Sequence, residues 1–500
     1  DFGSDARLPG PVWQLGRNFM EHNQISRSNL KTELIYGLEE KPPIGETIFA
    51  AMQHLMAIVV SIMTPALIIC GVLGASVEDT TYIVSMSLLV SGVATFIQIR
   101  KIGPVGSGLL SIQGTSFAFI GVLIAAGKDH IAAGNAVNSA LALLFGLCFV
   151  GSFIEMVCSR FIKPLRLLIT PLVSGIVVTL IGTTLIGSAM QSCAGGAQVL
   201  KGFAAGEVGA ELIQRNLLLA LGVIVVIMAL NVSKNRWLRM SSIFAGLVAG
   251  YIASAFLGLT DFSALKKLDY LAMPVPFKYG FSFELKAFVG ISILYLVTLV
   301  ETIGDLTATS MISGEPIEGE VYVERIAGGV LGDGFNSMLA AVFNTFPNTT
   351  FSQNNGIIQL TGVASRYVGY FVAAILVILG ISPLLAGLAA VMPAPVLGGA
   401  TLLMFGTVAS SGIRIIASQH LDRRGLLVLA ISLGAGLSVS FEPGVVKALP
   451  VWLQSLMSSG IIAGGLTAML ANFLLPGDRE KYVGETPSEV GPDIIEVEQE

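Results

Sequence analysis

Apolar stretches separated by short polar breaks follow one another along the chain from residue 47 to residue 475. A helix needs about 20 apolar residues to span a bilayer. The pattern predicts fourteen segments, at residues 47–73, 81–99, 103–126, 136–158, 166–188, 216–233, 239–259, 285–311, 326–346, 348–362, 365–391, 395–417, 424–440 and 452–475. We therefore expect an all-α polytopic membrane protein with polar tails at residues 1–45 and 477–500.

Segments 3 and 10 are irregular. Segment 3 opens with glycines and a proline at residues 103–108, which are poor helix formers, and continues with a polar run at residues 111–117. Segment 10 joins neutral amides and hydroxyls at residues 344–355 to a short apolar run that Gly356 opens. We predict that both segments are broken and carry short antiparallel strands, which satisfy backbone groups that lipid cannot. A polar loop between two ordinary helices is the alternative for segment 10.

The chain also contains an internal repeat. Residues 171–183 and 395–407, which lie 224 positions apart, share a proline, a small residue, a glycine and a threonine in register. Residues 115–118 likewise match residues 349–352. These matches pair segment 5 with 12 and segment 3 with 10, and an odd repeat of seven segments inverts the second copy in the membrane. We predict two inverted repeats; chance similarity among glycine-rich apolar helices is the alternative.

Basic residues indicate the orientation, because cytoplasmic loops are enriched in lysine and arginine. The loop after segment 7 is an exception, with four lysines, but the other odd-numbered loops are poor in them. Both termini are therefore expected in the cytoplasm, and the first 45 residues hold no apolar core typical of a cleaved signal peptide. The basic residues that follow even-numbered segments are Arg100, Lys101, Arg160, Lys163, Arg166, Lys234, Arg236, Arg239, Arg325, Arg366, Arg414, Arg423 and Arg424.

Composition agrees with a membrane protein and argues against several kinds of functional site. Charged residues make up 12% of the chain, about half the share in soluble domains. The four cysteines form no CxxC pair and the four histidines are scattered, which argues against a disulfide framework or a metal centre. We find no nucleophile–base pair, so we expect no enzyme, no cofactor and no nucleic-acid partner.

Two acids stand out in segment 8. Glu301 and Asp305 are spaced four residues apart, so they share one helix face. Because a charge within the bilayer is unfavourable by about 2.5–3.5 kcal/mol, they should face a cavity, where a coupled pair can hold a proton near neutral pH. If the segment instead ended just before Glu301, both acids would lie in interfacial water. Asp333 and His54 are further polar residues in apolar surroundings, and His54 is either a structural hydrogen-bonding group or supports the Glu301 helix.

Taken together, the motifs resemble those of the nucleobase–ascorbate transporter family, also called nucleobase–cation symporters. The resemblance runs from about residue 34 to residue 476 and is carried by the signature at residues 353–362, ETIGDLTATS at residues 301–310 and QGTSF at residues 113–117. Bacterial xanthine and uric acid permeases are the most similar group. The resemblance implies proton-coupled import of purines by alternating access, with the proton as coupling ion.

The family also implies roles for individual residues. Its substrate-binding positions correspond to Phe117, Ala118, Glu301, Ser352 and Gln353, and its supporting and proton-coupling positions to His54, Gln113, Asp305, Asp333 and Asn354. Ala118 stands where xanthine-selective members often carry Asn, which favours a wider pocket that admits uric acid. Gln353 in place of Glu argues against a uracil permease, and Gly362 in place of Lys argues against ascorbate.

The family further implies a core domain at residues 46–160 and 284–391 and a gate domain at residues 161–260 and 392–476. We expect a homodimer that forms through the gate domain in the bacterial inner membrane. Another nucleobase permease of the same family is one alternative. An anion exchanger of the bicarbonate–sulfate type is the other, although it would require positive charge where this chain has two carboxylates.

Overall fold

The computed structural model describes residues 34–165, 169–260, 262–263, 265, 271–419, 421–446, 448–450, 454, 457 and 459–475. Predictions for most of the N-terminal tail, for the C-terminal tail, for Arg166 and for two of the four lysines after segment 7, Lys266 and Lys267, lie outside the described residues. The described part is mostly helical. Its helices of eight or more residues are α1 (Ile44–Leu73), α2 (Val77–Arg100), α3 (Ile120–Ala132), α4 (Val137–Cys158), α5 (Pro171–Cys193), α6 (Ala197–Ala204), α7 (Ala210–Asn231), α8 (Ser242–Phe256), α9 (Leu285–Ile312), α10 (Gly319–Val342), α11 (Gln353–Thr361), α12 (Arg366–Ile381), α13 (Pro383–Ala390), α14 (Ala394–Ala417), α15 (Arg423–Phe441) and α16 (Gly460–Leu474).

Shorter pieces complete the secondary structure. The strands are β1 (Gln113–Thr115) and β2 (Asn348–Thr350), and short helices cover Ser159–Phe161, Ile162–Leu165, Arg236–Met240 and Pro443–Val446. Within the described residues, eight helices are long and apolar enough to cross a membrane, namely α1, α2, α4, α5, α7, α9, α14 and α15. The bent pair α12–α13 would make a ninth span, and α8 and α16 are shorter apolar helices. These helices make the chain a multi-pass membrane protein; the predicted count of fourteen segments remains a prediction.

The break in segment 3 follows from its glycines. Gly106 and Gly108 have positive φ angles of 103° and 74°, which residues with a side chain rarely adopt. A Cβ on Gly106 would also lie 2.4 Å from the carbonyl oxygen of Ile97. The chain therefore turns after α2 and enters β1 in an extended conformation, as predicted.

The two strands are buried and pair with each other. β1 runs antiparallel to β2, with Gly114 opposite Thr349. The backbone N–H of Phe351 donates to the carbonyl of Ile112 at 3.1 Å, and that of Ser116 donates to the carbonyl of Pro347 at 2.8 Å. The predicted antiparallel pairing is confirmed, and it satisfies backbone groups inside an apolar body.

Several predicted segments differ from the observed helices. Helix α11 begins at Gln353, within predicted segment 10, and contains Gly356. Segment 11 is not one continuous span, because the chain bends by 69° between α12 and α13. Pro383, the first residue of α13, has no N–H to donate to the preceding turn. Segment 9 begins earlier than predicted, at Gly319, so Arg325 lies inside α10, where it pairs with Glu315 at 2.9 Å.

The N-terminal segment before α1 is attached to the end of α11. Its residue Tyr36 forms a parallel bridge with Val363 and accepts a hydrogen bond from the N–H of Ala364 at 2.9 Å. The hydroxyl of Ser365 donates to the carbonyl of Glu40, and Arg366 forms an ion pair with Glu39. This segment therefore fixes the loop that follows α11.

Candidate substrate site

Polar side chains converge where β1 and β2 meet α9, α10 and α11. Each strand is followed within a few residues by a helix, α3 after β1 and α11 after β2, so both helices begin inside the protein. The strand residues Gln113 and Thr350 are buried and lie opposite each other. The site is therefore built from two broken segments that come from distant parts of the chain.

Three aromatic rings line one side of this region. Phe117 stacks on Phe351 with ring centroids 6.1 Å apart and an interplanar angle of 15°. The edge of Phe405, from α14, meets Phe117 at 5.5 Å. Ala118 is buried next to Phe117, and Ser352 is partly buried next to Phe351. The two stacked rings occupy matching positions of the repeated sequence, residues 115–118 and 349–352.

Glu301 and Asp305 lie inside α9, well before its end at Ile312. The alternative in which the helix ends before Glu301 is therefore wrong. Asp305 is buried, and its Oδ2 accepts a hydrogen bond from the hydroxyl of Thr350 at 3.2 Å. Glu301 is partly buried, and its Oε2 is enclosed by protein without a hydrogen-bond partner. Asp305 thus holds α9 against β2, and Glu301 keeps an acceptor oxygen free.

Asp333 joins three elements. Its Oδ2 accepts hydrogen bonds from the hydroxyl of Thr302 on α9 at 2.5 Å and from that of Thr349 on β2 at 3.4 Å. Gln113 on β1 lies beside it. The predicted supporting residues Asp333 and Gln113 are thus brought together with the acids of α9.

Amides at the start of α11 face several directions. Gln353, the first residue of the helix, is partly buried. Asn354 donates from Nδ2 to the carbonyl of Leu110 at 2.5 Å and so ties α11 to the segment before β1. Asn355 accepts at Oδ1 from the hydroxyl of Thr309 at 2.6 Å, which ties α11 to α9. These bonds orient the turn that presents Gln353.

His54 is fully buried in α1, and its polar neighbour is Asn354 on α11. Neither ring nitrogen of His54 has a hydrogen-bond partner among the described residues, and its support of the Glu301 helix stays a prediction. Through Asn354, His54 can still influence the turn that carries Gln353.

Sequence reasoning missed two residues near the site. Phe405 could not be selected, because aromatic residues are common in apolar helices. Glu155 is a buried acid in α4 that accepts a hydrogen bond from Thr298 at 2.8 Å. A lone acid in an otherwise apolar segment was the available signal. Within the described residues, no group of three or more His, Cys, Asp or Glu side chains is arranged to hold a metal ion.

A multi-pass helical body with a polar, partly carboxylate site in its interior is typical of a membrane transporter. The model of a permease family, Xan_ur_permease, matches residues 45–445. The chain therefore belongs to the nucleobase–ascorbate transporter family, as the motifs indicated.

The sequences of several relatives align with almost the whole chain. Xanthine permease XanP of Escherichia coli K12 is 47% identical over 92% of this chain and 98% of its own length. Xanthine permease XanQ of the same organism is 46% identical over 89% and 94%. Uric acid permease PucJ of Bacillus subtilis is 32% identical over 90% and 97%. These relatives are permeases, and the chain is a transporter and not an enzyme.

Solved structures with the same fold are transporters of low sequence similarity. SLC26A9 superposes with a TM-score of 0.58 at 12% identity, over 94% of this chain and 72% of that chain. The transmembrane domain of the cyanobacterial bicarbonate transporter BicA gives a TM-score of 0.50 at 15% identity, over 86% and 98%. At these identities the likeness concerns the fold alone.

Proposed function

We propose that the protein imports xanthine, and with it uric acid, together with protons and by alternating access. The observation that carries this proposal is the enclosed, unpartnered carboxylate oxygen of Glu301 on α9, the helix that packs on β2 and on the helix that begins at Gln353. The stacked rings of Phe117 and Phe351 adjoin the two strands. Relatives named for xanthine at 47% and 46% identity support the substrate. The relative named for uric acid and the small side chain of Ala118 support the wider pocket.

A purine fits the chemistry of this region. Its planar ring would stack beside Phe117, and its N–H groups would donate to the carboxylate of Glu301. The Gln353 amide offers a donor and an acceptor side by side and so would bind the alternating oxo and N–H groups of the purine edge. Backbone groups at Ala118 and Ser352 would complete the contacts, while Asp305 and Asn354 hold the surrounding elements in place.

Proton coupling is supported by the absence of basic partners for the acids. In the part of the chain that the structure describes, the ion pairs involve Glu39, Glu284 and Glu315, and none includes Glu301, Asp305 or Asp333. Buried carboxylates without a cation are costly when ionised, so a proton is the simplest counterion. Uptake of that proton with the substrate would couple import to the proton gradient.

Alternating access would use two domains related by the inverted repeat. The helix packing supports this division: α2 packs on α12, and α4 packs on α10. In the fourteen-segment count, the first pair is segments 2 and 11 and the second is segments 4 and 9. In the proposed seven-segment repeat, segment 2 corresponds to segment 9 and segment 4 to segment 11, so the two pairs are equivalent. Core segments would come from residues 46–160 and 284–391, and gate segments from residues 161–260 and 392–476.

The gate domain would also form a homodimer in the inner membrane, with both termini in the cytoplasm. Helix α7 supports this assignment, because most of its apolar stretch is not buried inside one chain. Its exposed side chains, which include Leu218, Leu221 and Val225, leave an apolar face for lipid or a second copy.

The test is uptake of radiolabelled xanthine by the purified protein in liposomes. We expect accumulation that collapses when the proton gradient is dissipated and that does not respond to sodium. Unlabelled uric acid should compete, and uracil should not. Bicarbonate or sulfate exchange without xanthine uptake would instead favour an anion exchanger with this fold, and accumulation driven by sodium at equal pH would contradict proton coupling.

A further inference from the structure

Glu155 is a buried acid that takes no part in the proposed purine contacts. Its side chain is 3% exposed and lies where α4 meets α9 and α10. Oε1 accepts a hydrogen bond from the hydroxyl of Thr298 at 2.8 Å. Oε2 is enclosed by protein without a hydrogen-bond partner.

Asp333 has the same arrangement. One oxygen accepts from the hydroxyl of Thr302 at 2.5 Å, and the other oxygen, Oδ1, is enclosed without a partner. Thr298 and Thr302 are four residues apart on α9, so they point from the same helix face. Successive turns of α9 therefore hold Glu155 and Asp333 near each other.

The groups that face Glu155 are mostly acids. Asp333 on α10 and Glu301 on α9 are the charged groups close enough to interact with it. Tyr295 on α9 and Cys158 on its own helix are the other titratable neighbours. Among the described residues, the basic side chains that form ion pairs contact other acids.

Burial limits how many of the neighbouring carboxyl groups of Glu155 and Asp333 can be ionised at the same time. Burying an ionised carboxylate is unfavourable unless a partner neutralises it, and two neighbouring acids then titrate as a pair. Each enclosed oxygen that no donor contacts is less costly to bury in a protonated carboxyl than in an ionised one. The cluster therefore needs at least one proton, and removing it would leave two negative charges in apolar surroundings.

We propose that Glu155 belongs to the proton-coupling group and shares with Asp333 a proton that is bound and released in each transport cycle. This rests on the proposed function, because it assigns a residue to proton-driven import. The proton is taken from the outer solution and released to the cytoplasm, so charge and atoms balance without another reactant. The alternative is an acid that stays protonated throughout the cycle and only supports the packing.

The variant Glu155→Gln distinguishes a proton that is exchanged in each cycle from an acid that stays protonated. Glutamine keeps the acceptor oxygen for Thr298 but cannot bind and release a proton. An imposed potential of about 100 mV supports about a 50-fold accumulation of a neutral substrate that enters with one proton. We expect this ratio in wild-type liposomes and a ratio near 1 in Glu155→Gln. Exchange of labelled for unlabelled xanthine, which needs no net proton movement, should fall far less than net accumulation.

The matched control is Ser152→Ala, one helical turn earlier on α4, which removes a buried hydroxyl that bonds only to its own helix. It should accumulate xanthine as the wild type does. Wild-type accumulation and pH dependence in Glu155→Gln would overturn the assignment of Glu155. A wild type whose uptake does not depend on the proton gradient would instead overturn the proposed function.

If Glu155→Gln does not reach the membrane, Glu155→Asp is tested in its place. Its shorter side chain should shift the pH of half-maximal uptake, and an unchanged pH profile would also overturn the assignment.

Discussion

Gly304 lies on α9 between the two acids of the site and touches α5, which we assign to the gate domain. A Cβ at this position would lie 2.0 Å from the hydroxyl oxygen of Ser174 and 2.9 Å from its Cβ. The Ser174 hydroxyl also donates to the carbonyl of Val300 on α9 at 3.2 Å. The absence of a side chain at Gly304 therefore allows the two helices to approach closely next to Glu301.

Gly304→Ala should push these helices apart. Rotation of the serine hydroxyl would remove the shorter contact, but the Cβ–Cβ distance of 2.9 Å would remain below ordinary contact at 3.4–4 Å. The helices must then separate by about 0.5–1 Å, and such overpacking is unfavourable by about 1–3 kcal/mol. If the contact forms in the rate-limiting state, the maximal rate of xanthine uptake falls about 5- to 150-fold.

The assay is initial-rate uptake in cells, normalised to the amount of protein in the membrane. Gly187→Ala is the control, because a Cβ at that position on α5 would have no atom within 4 Å. Ser174→Gly added to Gly304→Ala removes both clashing atoms and should restore uptake. A Gly304→Ala variant with the wild-type rate and thermal stability would show that α5 and α9 do not pack this closely.

The remaining predictions concern the site and the N-terminal segment. Glu301→Gln should lower uptake about 10- to 150-fold at a normal membrane level, because a charge-assisted hydrogen bond contributes about 1.5–3 kcal/mol; wild-type uptake would contradict a role for Glu301 in binding. Ala118→Asn should prevent unlabelled uric acid from competing with labelled xanthine, and failure of uric acid to compete in the wild type would refute the wider pocket. Gln353→Glu should weaken xanthine binding about 10-fold or more in the same competition assay, because it replaces a donor by a second acceptor facing the purine oxo groups. Ser365→Ala should lower the free energy of unfolding by about 1–2 kcal/mol in detergent, because it removes both a helix cap and the bond to Glu40; the exposed Ser438→Ala should change it little.

The sequence by itself determined the class of protein and the parts of the site that lie within one segment. Hydropathy is a local property, so the long apolar stretches and the two broken segments could be recognised before any contact was known. The spacing of Glu301 and Asp305 likewise placed both acids on one helix face, and α9 does carry them in its interior. The signature at residues 353–362 identified the family for the same reason, since a motif is a local pattern.

Only the tertiary structure decided which distant residues meet. Thr298 and Glu155 are 143 positions apart, and Phe117 meets Phe405 from a helix near the other end of the chain. It also placed His54 of α1 beside Asn354 of α11. Periodicity shows which side of a helix is polar but not which neighbour that side faces. That choice depends on how closely whole helices pack, as where Gly304 allows α9 to approach α5, and packing is a property of the assembled fold.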